Sequence, residues 1–437
     1  MAPYLRAHIK DADFATRFGE LQEMKREQSV DVNAAVQSII DDVRARGDAA
    51  LIKLTEKFDR QTISPQSLQI SETEIDAAVD ACAKSTREAL ELAASRIRDF
   101  HARQKPQDER FTDAAGVELG HRWTPVDAAG LYVPGGLANY PSSVLMNAIP
   151  AREAGVGRVV MVVPTPDGKV NPLVLVAARL AGVDEIYRIG GAQAIAALAY
   201  GTDTIAPVNV IVGPGNAYVA AAKKQVFGQV GIDMIAGPSE ILVVADGQND
   251  PAWMAADLLS QAEHDEVAQS ILICDDADYA DAVEQAVETA LQTLSRGEIA
   301  RKSWQNFGAI LVVEDLTTQA PDLINQLAPE HLELAVEDPE AMAGEVRHAG
   351  AIFMGRYTPE AIGYYIAGPN HVLPTARATR YASGLSVLNF MKRSSLVKCD
   401  AASLAAIGPA AVQLAEEEGL SAHGRSISIR LNRGRES

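Results

Sequence analysis

Cysteine is scarce in this chain: Cys82, Cys274 and Cys399 are the only three in 437 residues. An odd, widely spaced trio excludes a disulfide framework and points to a reducing compartment. Their contexts are CAKS, ICDD and KCDA. None is a Gly-rich nucleophile loop, so a covalent thiohemiacetal mechanism is not expected and structural roles are. Cations are also in the minority, with 39 Lys and Arg against 58 Asp and Glu and a net charge of −19. Phosphate neutralisation needs clustered Lys and Arg, so a nucleic-acid partner is excluded. No apolar run approaches membrane-spanning length, and the opening MAPYLRAHIKDADF has no apolar signal core. A cytoplasmic protein without a membrane span is the expectation. The dinucleotide fingerprint GxGxxG is missing too, as are internal repeats and low-complexity stretches.

A hydrophobic content of 47% with 22% charged residues fits a globular protein. The length exceeds one ordinary core, so two or more domains are expected. The first ~110 residues read as helices. Val32, Val36, Ile39, Ile40 and Val43 recur at helical spacing with Gly47 as a stop, and Ala50, Leu51, Leu54 and Phe58 continue the pattern. From about residue 130 the pattern becomes α/β. Short apolar, β-branched runs appear at Val159–Val163, Val208–Val212, Ile241–Ala245, Ile271–Cys274, Ile310–Val313 and Ala351–Met354. Most are separated by segments long enough for a helix, such as Pro172–Ala181, which predicts largely parallel sheets covered by helices. A change of character near residues 235–240 suggests two such units. The end of the chain reads as a helix over Ala402–Glu418 followed by an alternating strand over Ser426–Leu431.

Eight histidines are present, and four lie in short polar or Gly/Pro-bounded clusters. These are His264 in QAEHD, His331 in APEHLEL, His371 in GPNHVLPT and His423 in GLSAH. Imidazole is both a common metal ligand and the side chain that most readily moves protons near neutral pH. His8, His101, His121 and His348 sit in ordinary polar contexts and read as surface residues.

Each cluster has a bland reading beside the chemical one. Gln261 and His264 are three apart, so a helix through DLLSQAEH puts both on one face, where they can ligate one metal or simply be solvated. Glu330 and His331 follow Pro329, which disfavours helix at Ala328. They make either a general base beside a water-activating carboxylate or an exposed acid–base pair at a strand start. His371 lies in a loop fixed by Gly368, Pro369 and Pro374, suited to binding or to backbone capping. His423 follows a helix end near Gly419, where an imidazolium also caps. The run VIVGPGNAYVAAAKK (210–224) reads strand, Gly-rich turn, helix. Gly213 and Gly215 admit a close ligand and the helix N-terminus favours an anion; an ordinary tight turn is the alternative. GLYVPGG and RIGGAQAIAALAYG have the same character, and three such elements in about ninety residues strengthen the ligand reading.

Taken together, GLYVPGG, GGAQAIAALAYG, VGPGN, DMIAGPSE, DLLSQAEHD, APEHLEL, AGPNHVLPT and a C-terminal AH follow one another in an order that resembles the histidinol dehydrogenase family. The resemblance runs from about residue 25 to residue 431. It implies a two-step, NAD-dependent oxidation of L-histidinol to L-histidine through L-histidinal, the last step of histidine biosynthesis. It also implies a zinc-containing homodimer. The implied fold class is α/β: two incomplete Rossmann-like domains with helices on both sheet faces, plus small terminal pieces. The implied division is an N-terminal helical arm (1–25) and a larger α/β domain with the zinc and catalytic residues (26–131 and 238–383). A second α/β domain (132–237) would contribute the NAD site, and a small C-terminal domain (384–437) would dock on the partner subunit. By motif, Tyr132, Gln193 and Asn216 would contact NAD. Gln261, His264 and His423 would hold zinc and also approach the substrate. Glu330 and His331 would be the acid/base pair. Ser239, His331, His371 and Glu418 would contact L-histidinol.

The sequence departs from that pattern at Gly363-Tyr364-Tyr365. The family carries Gly-Asp-Tyr, its Asp a zinc ligand also near the substrate. Gln261, His264 and His423 are neutral donors, so the resemblance with Tyr364 at the fourth position implies weakened zinc binding and reduced activity. Asn389 and Asn139 stand where Asp and Ser are expected and are smaller departures. Two further readings follow. One is a related zinc- and NAD-dependent dehydrogenase of another small hydroxylated molecule, such as a sulfonated diol. The other is an impaired or silent copy that binds NAD or histidine-like ligands.

Overall fold

The computed structural model of the protein describes residues 3–24, 32–135, 141–235 and 237–431. The chain enters with strand β1 (Leu5–His8), which pairs in parallel with a strand some 300 residues on. An all-helical N-terminal arm is therefore corrected: Leu5 and Ala7 are buried and alternate with Arg6 and His8, a period-two signal too short to stand out. The helix Phe14–Glu23 follows. Helices Asn33–Arg46, Asp48–Asp59, Glu72–Ala81 and Lys84–Ala102 come next. Gly47 ends the first of these at φ 51, as its position predicts.

Strands β2 (Glu109–Thr112) and β3 (Glu118–Pro125) form an antiparallel pair. Then come β4 (Ala128–Tyr132), β5 (Arg158–Val162), β6 (Glu185–Tyr187), β7 (Val210–Val212) and β8 (Gly231–Ile232). They make a parallel five-stranded sheet in the order β6-β5-β4-β7-β8. Its two faces are covered by different helices. Val36, Ile40, Val43 and Leu51 pack with Val160 and Ile195 on one side; Ile75, Ala94 and Ile97 pack with Leu131 and Met161 on the other. The helices between residues 33 and 102, expected to belong with 238–383, thus bury their apolar faces on this sheet instead.

A second parallel sheet follows, from β9 (Glu240–Ala245), β10 (Gln269–Cys274), β11 (Ala309–Val312), β12 (His331–Ala335) and β13 (Ala351–Met354). With β1 its order is β1-β11-β10-β9-β12-β13. Apart from β1, the order repeats that of the first sheet, so both are Rossmann-like halves. Finally β14 (Met391–Lys398) pairs with β3 in a three-stranded antiparallel sheet. The expected C-terminal strand at Ser426–Leu431 is the helix Ser421–Leu431. Ile427 and Leu431, four apart, both rest on Gly408 of the helix Ala401–Glu417, and that packing decides for helix over the local alternation. No helix among the described residues is long and apolar enough to cross a membrane.

Candidate active site

Strand β12 reads His-Leu-Glu-Leu-Ala and is buried along its whole length. Alternation sends Leu332 and Leu334 into one apolar core and leaves His331 and Glu333 on the opposite face. Two buried ionisable groups on a core strand carry a desolvation cost that packing does not require, which makes the strand a candidate for function. The His331 Nδ1–H donates to the Glu240 carbonyl at 2.9 Å. That bond fixes the tautomer and leaves Nε2 as the basic nitrogen. Nε2 is buried without a hydrogen-bond partner and faces the Glu360 carboxyl at 3.5 Å. Burial pulls the imidazole pKa down to about 4, so His331 is neutral and able to accept a proton at neutral pH. Glu360 is pushed up to about 7, first by burial and then by the Asp257 charge.

Glu330 precedes this strand and is locked to Glu240 in a reciprocal arrangement. The Glu240 N–H donates to Glu330 Oε2 at 2.9 Å, and the Glu330 N–H donates to Glu240 Oε2 at 3.3 Å. Ala376 N–H donates to the other Glu240 oxygen at 2.9 Å. Glu240 therefore orients both Glu330 and His331. Sequence reasoning singled out Ser239 and passed over its neighbour in the same AGPSE motif. Ser239 lies half-buried beside it, its carbonyl accepting from Gln269 N–H at 3.0 Å.

A second group gathers around Tyr364. Its ring lies 4.3 Å from that of His371 and 5.5 Å from that of His264. The His371 Nδ1–H donates to the Tyr364 carbonyl at 2.9 Å, and its Nε2 meets Ser143 Oγ at 3.3 Å. Burial holds the His371 pKa near 4 and lowers that of His264. Gln261 Nε2 lies 3.0 Å from His264 Nδ1. The expected helix through both residues stops at Ala262, and a turn with His264 N–H donating to Gln261 O at 3.1 Å brings them together instead. Glu360 and Tyr364 share the short helix Glu360–Tyr365, which joins this group to His331. Proximity is also electrical, since charge on His264 or His371 lowers the His331 pKa further. His101, expected at the surface, is fully buried. It bonds Gln104 at 2.7 Å and backs Asn370, the neighbour of His371, at 3.5 Å.

The three expected NAD residues lie on the other sheet, at its carboxyl end. Tyr132 closes β4, and its hydroxyl accepts from Gly191 N–H at 3.1 Å. Gln193 is buried in the first turn of the helix Gly191–Tyr200. Asn216 caps the helix Ala217–Val226, its Oδ1 accepting from Tyr218 and Val219 N–H. Strand order reverses between β4 and β7, and doubly wound sheets bind ligands at that crevice. The glycines also have a packing reason. A Cβ at Gly213 (φ 109) would stand 2.2 Å from the Tyr132 carbonyl oxygen, and one at Gly215 2.4 Å from Val219.

His423 and Glu418 are not brought to either group. Both are exposed on the C-terminal helical hairpin. Asn389 is structural, accepting from Ser386 N–H at 2.8 Å. Asn139 lies outside the described residues. Cys274 is buried and its thiol pKa is pushed up to about 12 by that burial, in keeping with an inert structural role.

Comparison with known proteins agrees with this architecture. The sequence model for histidinol dehydrogenase matches residues 22–431. A histidinol dehydrogenase of Rhodospirillum rubrum is 66% identical over 430 residues, covering 98% of this chain and 99% of the relative. One of Ruegeria pomeroyi is 65% identical over 424 residues, with 97% and 98% covered. The crystal structure of histidinol dehydrogenase from Elizabethkingia anophelis superposes with a TM-score of 0.94 at 35% identity, covering 99% of both chains. The chain belongs to the histidinol dehydrogenase family.

Histidinol dehydrogenases are NAD-dependent oxidoreductases of an alcohol and an aldehyde, and the fold here is of that type. Against the zinc expected of the family, the donor set fits only in part. Gln261 Oε1 is buried without a hydrogen-bond partner, and it and His264 suit a metal as two neutral donors. Tyr364 adds no carboxylate, and its ring packs against His264. Among the described residues no three His, Cys, Asp or Glu side chains converge as a metal site.

Proposed function

We propose that this chain oxidises L-histidinol to L-histidine by way of L-histidinal, reducing two NAD. The full-length likeness to curated histidinol dehydrogenases carries this reading. In the first oxidation the alcohol gives hydride to NAD and its hydroxyl proton to His331 Nε2. The aldehyde is then hydrated, with Glu330 accepting a proton from water. The hydrate gives a second hydride to NAD and leaves a carboxylate. One alcohol, one water and two NAD yield one carboxylate, two NADH and three protons. Tyr132, Gln193 and Asn216 would hold NAD at the end of the five-stranded sheet, and Ser239 and His371 would contact the substrate.

Zinc, when bound, would anchor the substrate's imidazole and amine by positioning them. Gln261 and His264 are its donors within one chain. His423 as a further ligand and Glu418 as a substrate contact require a second copy, because both lie exposed on the C-terminal hairpin. That hairpin presents Ile407, Leu414, Leu420 and Ile429 to solvent, an apolar surface suited to a homodimer. A cytoplasmic location accords with an intermediary biosynthetic role. The missing carboxylate at Tyr364 makes zinc binding weak.

The test is NADH formation from L-histidinol and NAD, with and without added zinc, in the wild type and in Tyr364→Asp. We expect turnover in the wild type. Tyr364→Asp should raise zinc affinity tenfold or more, since it supplies the only anionic donor. No turnover from folded wild type in zinc-supplemented buffer rejects the assigned reaction. An unchanged zinc affinity in Tyr364→Asp rejects the role given to Tyr364.

A further inference from the structure

The motif VIVGPGN is followed by two residues that neither the site description nor the chemistry has used. Lys223 and Asp233 form an ion pair, and both side chains are almost fully buried, at 3% and 1% exposure. Lys223 lies in the second turn of the helix Ala217–Val226, and Asp233 directly follows β8. Isolated buried charges are costly, so a pair this deep in a fold needs further hydrogen bonds to persist. Of the three found here, two converge on Gly213 and the third goes to the amide that follows Asp233. Lys223 Nζ donates to the Gly213 carbonyl at 3.0 Å. Asp233 Oδ2 accepts from the Gly213 N–H at 2.8 Å, and Oδ1 accepts from Met234 N–H at 2.7 Å. Gly213 is thus held from its amide side by the anion and from its carbonyl side by the cation.

That residue is one whose backbone needs holding. Gly213 sits at φ 109 with its backbone against the Tyr132 carbonyl, at the crevice where the strand order reverses. Left-handed glycine has no side chain to fix it, so tertiary bonds must define its conformation. The same Asp233 begins the segment that leads through Gly237 to Ser239 and Glu240. Gly237 is itself tied, donating to Thr375 Oγ1 at 2.5 Å.

We propose that the buried Lys223–Asp233 pair is a positioning element for the cofactor, holding the Gly213–Asn216 turn in the conformation that NAD meets and joining it to the crossover that carries Ser239 and Glu240. This inference rests on the NAD site lying at the carboxyl end of the five-stranded sheet. Neither residue touches the reacting atoms. Both act through the backbone of Gly213.

The pair is tested by steady-state kinetics and direct NAD binding in Lys223→Met, Asp233→Asn, the double variant and Asp233→Glu. Both single variants are expected to raise the KM and Kd for NAD about tenfold. The KM for L-histidinol and kcat at saturating NAD should stay within about twofold. In the double variant the effects should fall well short of multiplying, because each change breaks the same clamp. Asp233→Glu keeps the charge pair, and with it folding, but shifts the carboxylate by one methylene. It should still raise the KM for NAD several-fold. A purely structural pair would lower the melting temperature in every variant and leave the KM for NAD unchanged, and that result overturns the proposal. If the wild type itself binds no NAD, the cofactor reading fails instead, before the pair is in question.

Discussion

In the five-stranded sheet the crevice between β4 and β7 is bordered by glycines, a helix N-terminus and the Tyr132 backbone. The topologically equivalent crevice of the six-stranded sheet, between β9 and β12, is filled. Arg356 binds Asp246 through both carboxylate oxygens at 2.8 Å, and Asn249 Nδ2 donates to the Ala335 carbonyl at 2.7 Å. The second sheet carries its proposed catalytic groups at the other end instead, where Glu240 starts β9 and His331 starts β12. One edge is made of backbone groups held in place, which suits a long cofactor bound by shape and dipoles. The other is made of buried ionisable side chains, which suits proton transfer. Under the proposed function, two copies of one strand order take different tasks by what closes or opens each end. Fold alone would not have said which end is which.

Substitutions that act on one edge only would sharpen that contrast. The largest effect is expected at His331. His331→Gln removes the basic Nε2, and kcat should fall about a thousandfold with the Kd for NAD within twofold. A comparable loss confined to NAD affinity would break the division of labour. Next comes Gly213→Ala, which places a Cβ 2.2 Å from the Tyr132 carbonyl oxygen at φ 109. It should cost about 3 kcal/mol of stability and raise the KM for NAD, with the KM for L-histidinol little changed. Chemical denaturation and steady-state kinetics measure both. A stability within 0.5 kcal/mol of wild type, on the order of an ordinary surface change, would show that the edge yields and is not rigid.

The same contrast explains what was legible in the sequence. Buried parallel strands announce themselves as apolar runs, and the run expected at Ile241–Ala245 lies within the fully buried strand Glu240–Ala245. The amphipathic helix after Val32 and its Gly47 stop were equally plain. The antiparallel strands β2, β3 and β14 were not, because none of their residues is buried and they carry polar stretches such as Lys392–Ser395. Of the four histidines singled out by their polar or Gly/Pro-bounded contexts, His264, His331 and His371 do gather and His423 does not. Glu240 was not, because it orients His331 through a carbonyl oxygen, which any residue has. Glu360 was hidden for another reason. Only the placement of a six-residue helix over β12 brings it to His331, and no local pattern encodes that. His101 misled because its polar neighbours say nothing about the loop that packs over it.

The smallest expected effect lies beneath the catalytic edge, where Glu333 is 1% exposed. Burial, then the neighbouring Asp257 charge, pushes its pKa up to about 9 from an ordinary 4.5. The native chain therefore keeps a proton there that the unfolded chain releases above pH 4.5. A raised carboxyl pKa penalises folding increasingly as pH climbs from the unfolded to the folded value. Glu333→Gln has nothing to ionise, and its amide still offers a donor toward Asp257. It should match wild type near pH 5 and exceed it at pH 8 by on the order of 2 kcal/mol, with the gap widening as pH rises. Urea denaturation at the two pH values measures this. A gap that does not grow with pH would mean that Glu333 is ionised in the folded protein. In that case the desolvated character assigned to the whole catalytic edge would have to be given up, because Glu333 shares the face of β12 that carries His331.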